Sequence, residues 1–328
     1  MRVAWLMLDG VGVGVAHGMN PFSMPQAPIL GHFGVGIALH QPAKATDRTQ
    51  NRGTSLFKLE SKQGKPAESP TDFIAHAIDA TLGIPGLPQS GTGQTTLLTG
   101  INAAKRLGYH HGPWPGPTIR PLLEDSFPVR LAARGGTVRL LNHYPPKYLA
   151  GIARGKIRLN AIATAATLAG ARLEAKAGET RIPPPLGNPQ DMQSTTLEQV
   201  REWGREFMRS NATLNIFDSW WSDHLGHQGS QTAAISSDPD SITPTALEMA
   251  QDHVRRLEAF LEGALEARTA DTLLLITSDH GNFEDMGVKT HTFAPVPLVA
   301  FGPGALEFAN VTDLTGVAPA LERVFKGQ

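Results

Sequence analysis

A buried strand that runs directly into a carboxylate and an imidazole is the feature that most constrains this chain. Residues 273–277 are all apolar or β-branched, and Asp279 and His280 follow where such a strand should end. Ligands of open α/β sheets bind outside the carboxyl ends of the strands, so an Asp-His pair there is well placed for metal binding or acid–base chemistry. The sequence therefore predicts a functional site at one edge of a sheet.

The same pattern occurs twice more. An apolar run at residues 3–8 ends at Asp9, and a third run at residues 213–217 leads into another polar group. The polar residues after the third run are Asp218, Asp223, His224 and His227. Three strand ends that supply oxygen and nitrogen ligands indicate one site built from distant parts of the chain.

Composition excludes several classes of protein. Lys and Arg total 29 against 30 Asp and Glu, so no basic surplus indicates binding to nucleic acid or to an anionic membrane. Cysteine is absent, which excludes disulfides, thiolate nucleophiles and thiolate metal ligands. No segment approaches the roughly 18 apolar residues of a spanning helix, and the N-terminus lacks a secretory signal pattern. We expect a soluble, cytoplasmic protein.

Alternating strands and helices predict an α/β fold with a doubly wound, mostly parallel sheet flanked by helices. Strands are predicted at residues 2–8, 137–142, 213–217, 272–277 and 296–301, and most are apolar along their whole length, as strands buried on both faces should be. Helices are predicted at residues 120–134, 195–208, 244–267 and 312–325. Thr243 is expected to cap the third of these, with Pro244 at its first position.

Two regions fit this alternation poorly. Residues 34–70 are polar and are expected to form a long excursion over the surface. Residues 143–192 contain an Ala-rich helix near 158–172 and a Pro-rich linker, and we interpret them as a small cap inserted into a core of residues 1–142 and 193–328. Arg154, Lys156 and Arg158 in this cap either bind the non-reacting part of an anionic substrate or form a solvated face.

Residues 86–100 have the composition of a loop that enters a helix N-terminus, where backbone N–H groups and the helix dipole favour an anion. Ser90 lies at or near the cap, where its oxygen can be both nucleophile and metal ligand; alternatively, Ser90 and Thr92 only cap the helix. Thr92 and Gln94 are candidates for substrate binding, as are His110 and His111 beyond the helix. No Lys follows the Gly-rich turn, which excludes a nucleotide P-loop.

Six acidic and imidazole residues fall near strand ends of the predicted sheet, beside the loop that contains Ser90. They are Asp9, Asp223, Asp279, His227, His280 and His291. Any one of these histidines alone would more often be an ordinary polar residue, but the combination predicts ligands. Mixed carboxylate and imidazole ligands suit Zn²⁺ or Mn²⁺ rather than Ca²⁺. Two such ions would activate a hydroxyl nucleophile and clamp the oxygens of a phosphoryl group.

Together these motifs resemble the alkaline phosphatase superfamily of metalloenzymes, and most closely the branch with cofactor-independent phosphoglycerate mutase and phosphopentomutase. The motifs are Asp9-Gly10, Ser90-Gly-Thr-Gly, Asp223-x-x-x-His227, Ser278-Asp-His-Gly-Asn282 and His291-x-x-x-Pro295. The resemblance implies an alkaline phosphatase-like core and a small phosphorylated substrate. It also implies one metal held by Asp9, Ser90, Asp279 and His280. The other metal would be held by Asp223, His227 and His291, with Asp218 as the alternative to Asp223.

The chain departs from the mutase pattern in two places. Gln94 stands where the mutases commonly have a histidine, and the predicted cap is much shorter than the domain that such mutases insert. A small cap would let water intercept a phosphoenzyme. The sequence therefore favours a phosphatase or phosphodiesterase-type hydrolase with Ser90 as nucleophile. A phosphomutase and an inert metal-binding relative are the alternatives.

Overall fold

A computed structural model describes residues 1–23, 27–32, 35–36, 72–187, 194–229 and 245–326. Six strands form one sheet in the order β2-β6-β5-β1-β4-β3. Their bounds are β1 Arg2–Leu8, β2 Phe73–Ile78, β3 Val138–Leu140, β4 Leu214–Ser219, β5 Thr272–Ser278 and β6 Val296–Phe301. Only β6 runs antiparallel to its neighbours. The predicted mostly parallel α/β sheet is confirmed.

Helices flank the sheet on both sides. They are α1 Pro28–His32, α2 Ser90–Thr99, α3 Ala103–Leu107, α4 Phe127–Ala133, α5 Pro146–Ala153, α6 Ala161–Leu168, α7 Leu197–Arg209, α8 Trp221–Gln228, α9 Ala246–Ala267 and α10 Val317–Lys326. Short 3₁₀ turns at Arg120–Asp125 and Leu314–Gly316 precede α4 and α10.

Strand β1 shows how the two faces of the sheet are covered. Val3, Trp5 and Met7 belong to a hydrophobic cluster that includes residues of α2, α4, α6 and α10. Leu6 and Leu8 point the other way, into a second cluster with α7 and α9. Because both faces are covered, the central strands have no polar face, which explains their continuous apolar sequence.

Helices α7 and α9 pack with their backbones in contact at two glycines. A Cβ atom on Gly204 would lie 1.9 Å from the carbonyl oxygen of Phe260, and one on Gly263 would lie 1.9 Å from that of Arg201. No larger residue fits at either position without moving a helix. This close approach fixes the helical layer that covers one face of β1, β4 and β5.

Some boundaries differ from the predictions. Helix α9 begins at Ala246, where Thr245 and Glu248 form a capping box, so the predicted cap at Thr243 with Pro244 is wrong. The predicted helix at residues 120–134 is instead a 3₁₀ turn followed by α4, separated by Ser126. Strand β2 was not predicted; it lies at the edge of the sheet, and most of its side chains are only partly buried.

The region predicted as a cap contains α5 and α6. Five of the eight residues of α6 lie in the same hydrophobic cluster as Val3 and Trp5, so this helix packs directly on the sheet. Ile182 pairs with Asn142, which follows β3. The division into a core and a cap stays a prediction, and the predicted excursion at 34–70, apart from residues 35–36, lies outside the described residues. Within the described ranges, no helix combines the length and apolar character that crossing a bilayer requires.

Candidate metal centre

The three polar strand ends are brought together by the register of the sheet. Leu8 of β1 pairs with Ser219 of β4 and with Ser278 of β5, so the three strands end at the same level. Asp9 and Asp279 therefore leave adjacent strands side by side, and α8, which carries Asp223, starts just after β4. Gly10 has φ +73°, and a Cβ there would lie 2.8 Å from Asp223 Oδ1, so only glycine allows this approach.

The first group of predicted ligands surrounds one nitrogen of His280. Its Nε2 atom lies 3.0 Å from Ser90 Oγ, 3.3 Å from Asp9 Oδ1 and 3.8 Å from Asp279 Oδ2. The His280 side chain is fully buried and the carboxylates nearly so. One imidazole nitrogen can carry only one proton, yet three oxygens converge on it. Three oxygens and one nitrogen grouped in this way are typical ligand atoms of a site that holds a cation.

The second group contains two imidazoles that face each other. His227 Nε2 and His291 Nε2 are 3.1 Å apart, and Asp223 oxygens lie 3.4 Å from the first and 3.5 Å from the second. The opposite ring nitrogens face backbone carbonyls, His227 Nδ1 that of Lys289 at 2.9 Å and His291 Nδ1 that of Pro88 at 2.6 Å. Because a carbonyl only accepts, both Nδ1 atoms carry protons. Two neutral rings would then present bare lone pairs to each other, which only a shared proton or a metal ion can bridge.

The two groups adjoin. The rings of His280 and His291 stack with centroids 3.8 Å apart, and ligand atoms of Asp9, Asp223 and His280 lie within 4.8 Å of one another. Asp223, His227 and His291 form a second set within the same limit. The residue that follows β1, residues of α2 and α8, and the segment between β5 and β6 thus meet in one place. All seven predicted ligands are among them.

The electrostatics of the centre also fit a cation. Asp9 Oδ1 is buried and has no hydrogen-bond partner among the described residues. The pKa of Asp9 is raised well above its ordinary value, first by burial and then by the charges of Asp279 and Asp223. Burying carboxylates this close together is costly unless a positive charge compensates. The residues present therefore suit divalent metal ions.

Asp223 and His227 affect each other's protonation. Burial would raise the pKa of Asp223, but hydrogen bonding to His227 and His291 outweighs burial and holds that pKa below its ordinary value. The Asp223 carboxylate in turn raises the pKa of His227. A proton and a metal ion therefore compete for the space between the two rings.

Two residues that were not predicted to have a role hold the ligands in place. Asn282 donates from Nδ2 to Asp223 Oδ1 over 2.7 Å. Glu284, buried, accepts from the backbone N–H groups of Gly12 and Asn282, both at 2.8 Å, and from the hydroxyl of Thr292. It thereby joins the segments after β1 and after β5. Asn282 stands in the quoted motif, but nothing in the sequence distinguishes Glu284 from a surface carboxylate.

Gln94, predicted to bind substrate, lies against the first ligand group. From the second turn of α2 its side-chain amide donates to Asp279 Oδ2 at 2.9 Å and to Asp9 Oδ2 at 3.3 Å. Its Oε1 atom is buried without a hydrogen-bond partner among the described residues. Gln94 therefore orients two carboxylates of the first ligand group.

Other predicted residues lie outside this cluster. The hydroxyl of Thr92 donates to the carbonyl of Gln89, and its N–H donates to that of His111, so these donors are used within the protein. Arg154, Lys156 and Arg158 are exposed, and the Arg158 guanidinium lies 5.7 Å from the ring centroid of Trp114. Their role as substrate ligands stays a prediction.

Asp218, the alternative to Asp223, is not brought into the second ligand group. Its carboxylate accepts from Asn160 at 2.7 Å, the N-cap of α6, while its backbone N–H donates to the side chain of Asn142. Burial raises the pKa of Asp218 to about 7. This carboxylate therefore links β4 to α6.

Comparison with known proteins finds matches over part of the sequence. The family model described as "Metalloenzyme superfamily" matches residues 244–324, which include Asp279, His280 and His291. The 2,3-bisphosphoglycerate-independent phosphoglycerate mutase of Aliivibrio fischeri is 35% identical over 107 residues, which are 30% of this chain and 18% of the mutase. The corresponding enzyme of Vibrio vulnificus is 38% identical over 82 residues, 23% of this chain and 16% of that enzyme.

Among solved structures, a cold-active alkaline phosphatase from a psychrophilic Shewanella sp. aligns over 99% of both chains, with a TM-score of 0.50 and 12% identity. At that identity the likeness establishes the fold alone. The fold and these partial sequence matches support the predicted resemblance to metalloenzymes of the alkaline phosphatase superfamily. The matched stretch covers at most 18% of the length of the two mutases named above. The reaction of the mutases therefore cannot be assigned to this chain from the sequence identity.

Proposed function

We propose that this chain is a two-metal phosphohydrolase that transfers the phosphoryl group of a small phosphate ester first to Ser90 and then to water. The observation that carries the proposal is the pair of imidazole nitrogens of His227 and His291, 3.1 Å apart with their opposite nitrogens on carbonyls. Beside it, Ser90 Oγ lies 3.0 Å from His280 Nε2, at the start of a helix.

In this proposal each group of ligands holds one ion. Asp9, Ser90, Asp279 and His280 hold the first, and Asp223, His227 and His291 hold the second. Mixed oxygen and nitrogen ligands suit Mn²⁺ or Zn²⁺. When bound, the ions would lower the pKa of the Ser90 hydroxyl and neutralise charge on the phosphoryl oxygens.

Ser90 is the nucleophile in this proposal. It is the first residue of α2, so the positive end of the helix dipole favours both its ionised oxygen and a nearby phosphoryl group. Attack by Oγ forms a bond to phosphorus and releases the alcohol, which takes the proton that Ser90 has lost. Water then attacks the phosphoserine, releases inorganic phosphate and restores the hydroxyl.

Two observations favour hydrolysis over phosphoryl return to the substrate. Gln94 takes the place of the mutase histidine and is engaged with Asp9 and Asp279. Helix α6, in the predicted cap, packs on the sheet rather than forming part of a separate closing domain. A phosphomutase is the second candidate, favoured by the identity with phosphoglycerate mutases. Release of inorganic phosphate, as opposed to an isomerised ester, distinguishes the two.

The test combines metal content with activity. We expect chelated protein to be inactive on p-nitrophenyl phosphate and to regain activity with Mn²⁺ or Zn²⁺, with two ions per chain by elemental analysis. Asp279→Asn and Asp223→Asn should each retain only one ion, because each loses an ionic ligand of a different group. Asp271→Asn, at an exposed carboxylate paired with Arg2, is the matched control and should retain both. One ion or none in the wild type would contradict the proposal.

A further inference from the structure

An open depression of about 370 Å³ lies in the surface beside the start of α2. Its lining residues, called here the leaving-group cleft, are Pro85, Gly86, Leu87, Gln89, Tyr109, His110, His111 and Gly112. Gln89 immediately precedes Ser90, and a Cβ on Gly112 would lie 3.3 Å from the Ser90 nitrogen. The cleft therefore lies next to the backbone of Ser90, and its volume is large enough for a small organic group.

Two segments form the cleft and are fixed to each other. The N–H of Thr92 in α2 donates to the carbonyl of His111 over 2.8 Å. His110 Nε2 lies 3.1 Å from the carbonyl of Thr81 and 3.2 Å from that of Ile84, on the chain that leads into the cleft. One backbone hydrogen bond and the side chain of His110 thus fix the two segments to each other.

The lining is uncharged but rich in rings. Among the residues that the structure describes, it contains no carboxylate, Lys or Arg. Because the Nε2 of His110 faces only carbonyls, it must donate, and burial lowers the pKa of this imidazole, which keeps it neutral. Tyr109 is 53% exposed, and its ring meets that of His111 edge to face, with centroids 6.2 Å apart. The exposed part of the Tyr109 ring is free to pack against a flat group of a ligand.

The rim adds a second exposed ring. Trp114 is 38% exposed, and its carbonyl oxygen lies 2.6 Å from where a Cβ on Gly91 would be, beside Ser90. Arg158 lies over this ring. Arg158 thus brings one positive charge close to the rim.

From these contacts we propose that the leaving-group cleft binds the alcohol part of the substrate and selects alcohols that carry a flat ring, which packs on Tyr109. This inference rests on the proposed function, because it assumes that a phosphoryl group is held at Ser90. The ring contributes to affinity as a contact remote from the reacting phosphorus.

Binding of two phosphonates to the metal-loaded protein tests the cleft without turnover. Phenylphosphonate and methylphosphonate share the anion and differ in the ring, so the ratio of their dissociation constants by calorimetry isolates the ring contact. We expect wild type to bind phenylphosphonate about threefold to tenfold more tightly, as for one aromatic pair. Tyr109→Ala should bring the ratio near one, whereas Tyr109→Phe, which keeps the ring, should preserve it.

Phe293→Ala is the matched control, because Phe293 is an aromatic residue 63% exposed that does not line the cleft. It should retain the wild-type ratio. Three results would overturn the cleft assignment while leaving the proposed function standing. The wild type could bind both phosphonates equally, Tyr109→Ala could keep the wild-type ratio of dissociation constants, or Phe293→Ala could lose that ratio as Tyr109→Ala does. If neither phosphonate binds, the anion site itself is missing, and both proposals fail.

Discussion

Backbone carbonyls set the orientation of the three imidazoles at the metal centre. Those of Lys289, Pro88 and Gly281 face the Nδ1 atoms of His227, His291 and His280 respectively. All three rings therefore present Nε2 to the centre. A carbonyl that accepts from Nδ1 fixes the tautomer of a metal-binding histidine. Residues that do not bind the metal themselves therefore help to define the site.

Gln94 gives the first prediction at this scale. Gln94→Met keeps the volume of the side chain but removes its hydrogen bonds to Asp9 and Asp279. We expect metal affinity to fall by about tenfold, the lower end of the effect of such outer contacts. Competition with a chromogenic chelator measures it. Gln228→Met removes an amide bonded to His224 on the helix that carries Asp223, and should leave the affinity unchanged. Equal effects of both changes would show that Gln94 does not act through the carboxylates.

The sequence predicted the kinds of ligand but not their surroundings. Asp9, Asp279 and His280 could be found because each follows a run of apolar residues that had to be a buried strand. The contacts of Glu284 could not be found in this way. Its partner Gly12 lies 272 positions away along the chain, and no neighbouring residue distinguishes Glu284 from other carboxylates. Gln94 was assigned to substrate because the motif gives its position on α2 but not the direction of its side chain.

At the scale of elements, strands buried on both faces were the most predictable. Strand β2 was missed because the segment Phe73–Ile78 lies at the edge of the sheet, with partly exposed side chains and His76 in its middle. The start of α9 was misplaced because Thr243 and Thr245 are both plausible caps, and only Thr245 has a glutamate three residues later.

The contact between α8 and α9 predicts a pH dependence of stability. His253 of α9 is fully buried with Nε2 3.2 Å from Ser222 Oγ of α8, and burial lowers its pKa to about 3. Unfolding restores a pKa near 6.5. The unfolded chain therefore binds more protons between about pH 6.5 and 3, and stability contributed by this neutral histidine is lost as pH falls through that window.

His253→Gln keeps a hydrogen-bonding side chain that does not titrate. Its free energy of unfolding should fall less than that of the wild type between pH 6.5 and 4.5, by about 2 kcal/mol. Urea unfolding of the two proteins at both pH values measures the difference. Parallel losses in wild type and variant would show that His253 does not contribute to acid sensitivity.

At the scale of the whole molecule, the sheet separates two hydrophobic clusters, and the paired helices α7 and α9 cover one of them. Gly204→Ala would place a methyl group 1.9 Å from the carbonyl oxygen of Phe260 and force the helices apart. We expect unfolding free energy to drop by about 3 kcal/mol, as for other overpacked interiors. Gly31→Ala, where a Cβ meets no described atom outside the backbone of its own helix within 4 Å, should change it by less than about 1 kcal/mol. Similar stabilities of the two variants in urea would contradict this packing.

The claim that joins the sheet, the metal centre and the reaction is that Ser90 becomes phosphorylated. Acid quenching of metal-loaded protein during turnover of a phosphate ester, followed by peptide mapping, tests it most directly. We predict one phosphoryl group on the peptide that contains Ser90 in the wild type. Ser90→Ala should show neither that group nor turnover, while still binding metal through the remaining ligands. A Ser90→Ala variant that turns over at the wild-type rate, or a phosphoryl group on Thr92 instead, would contradict the account.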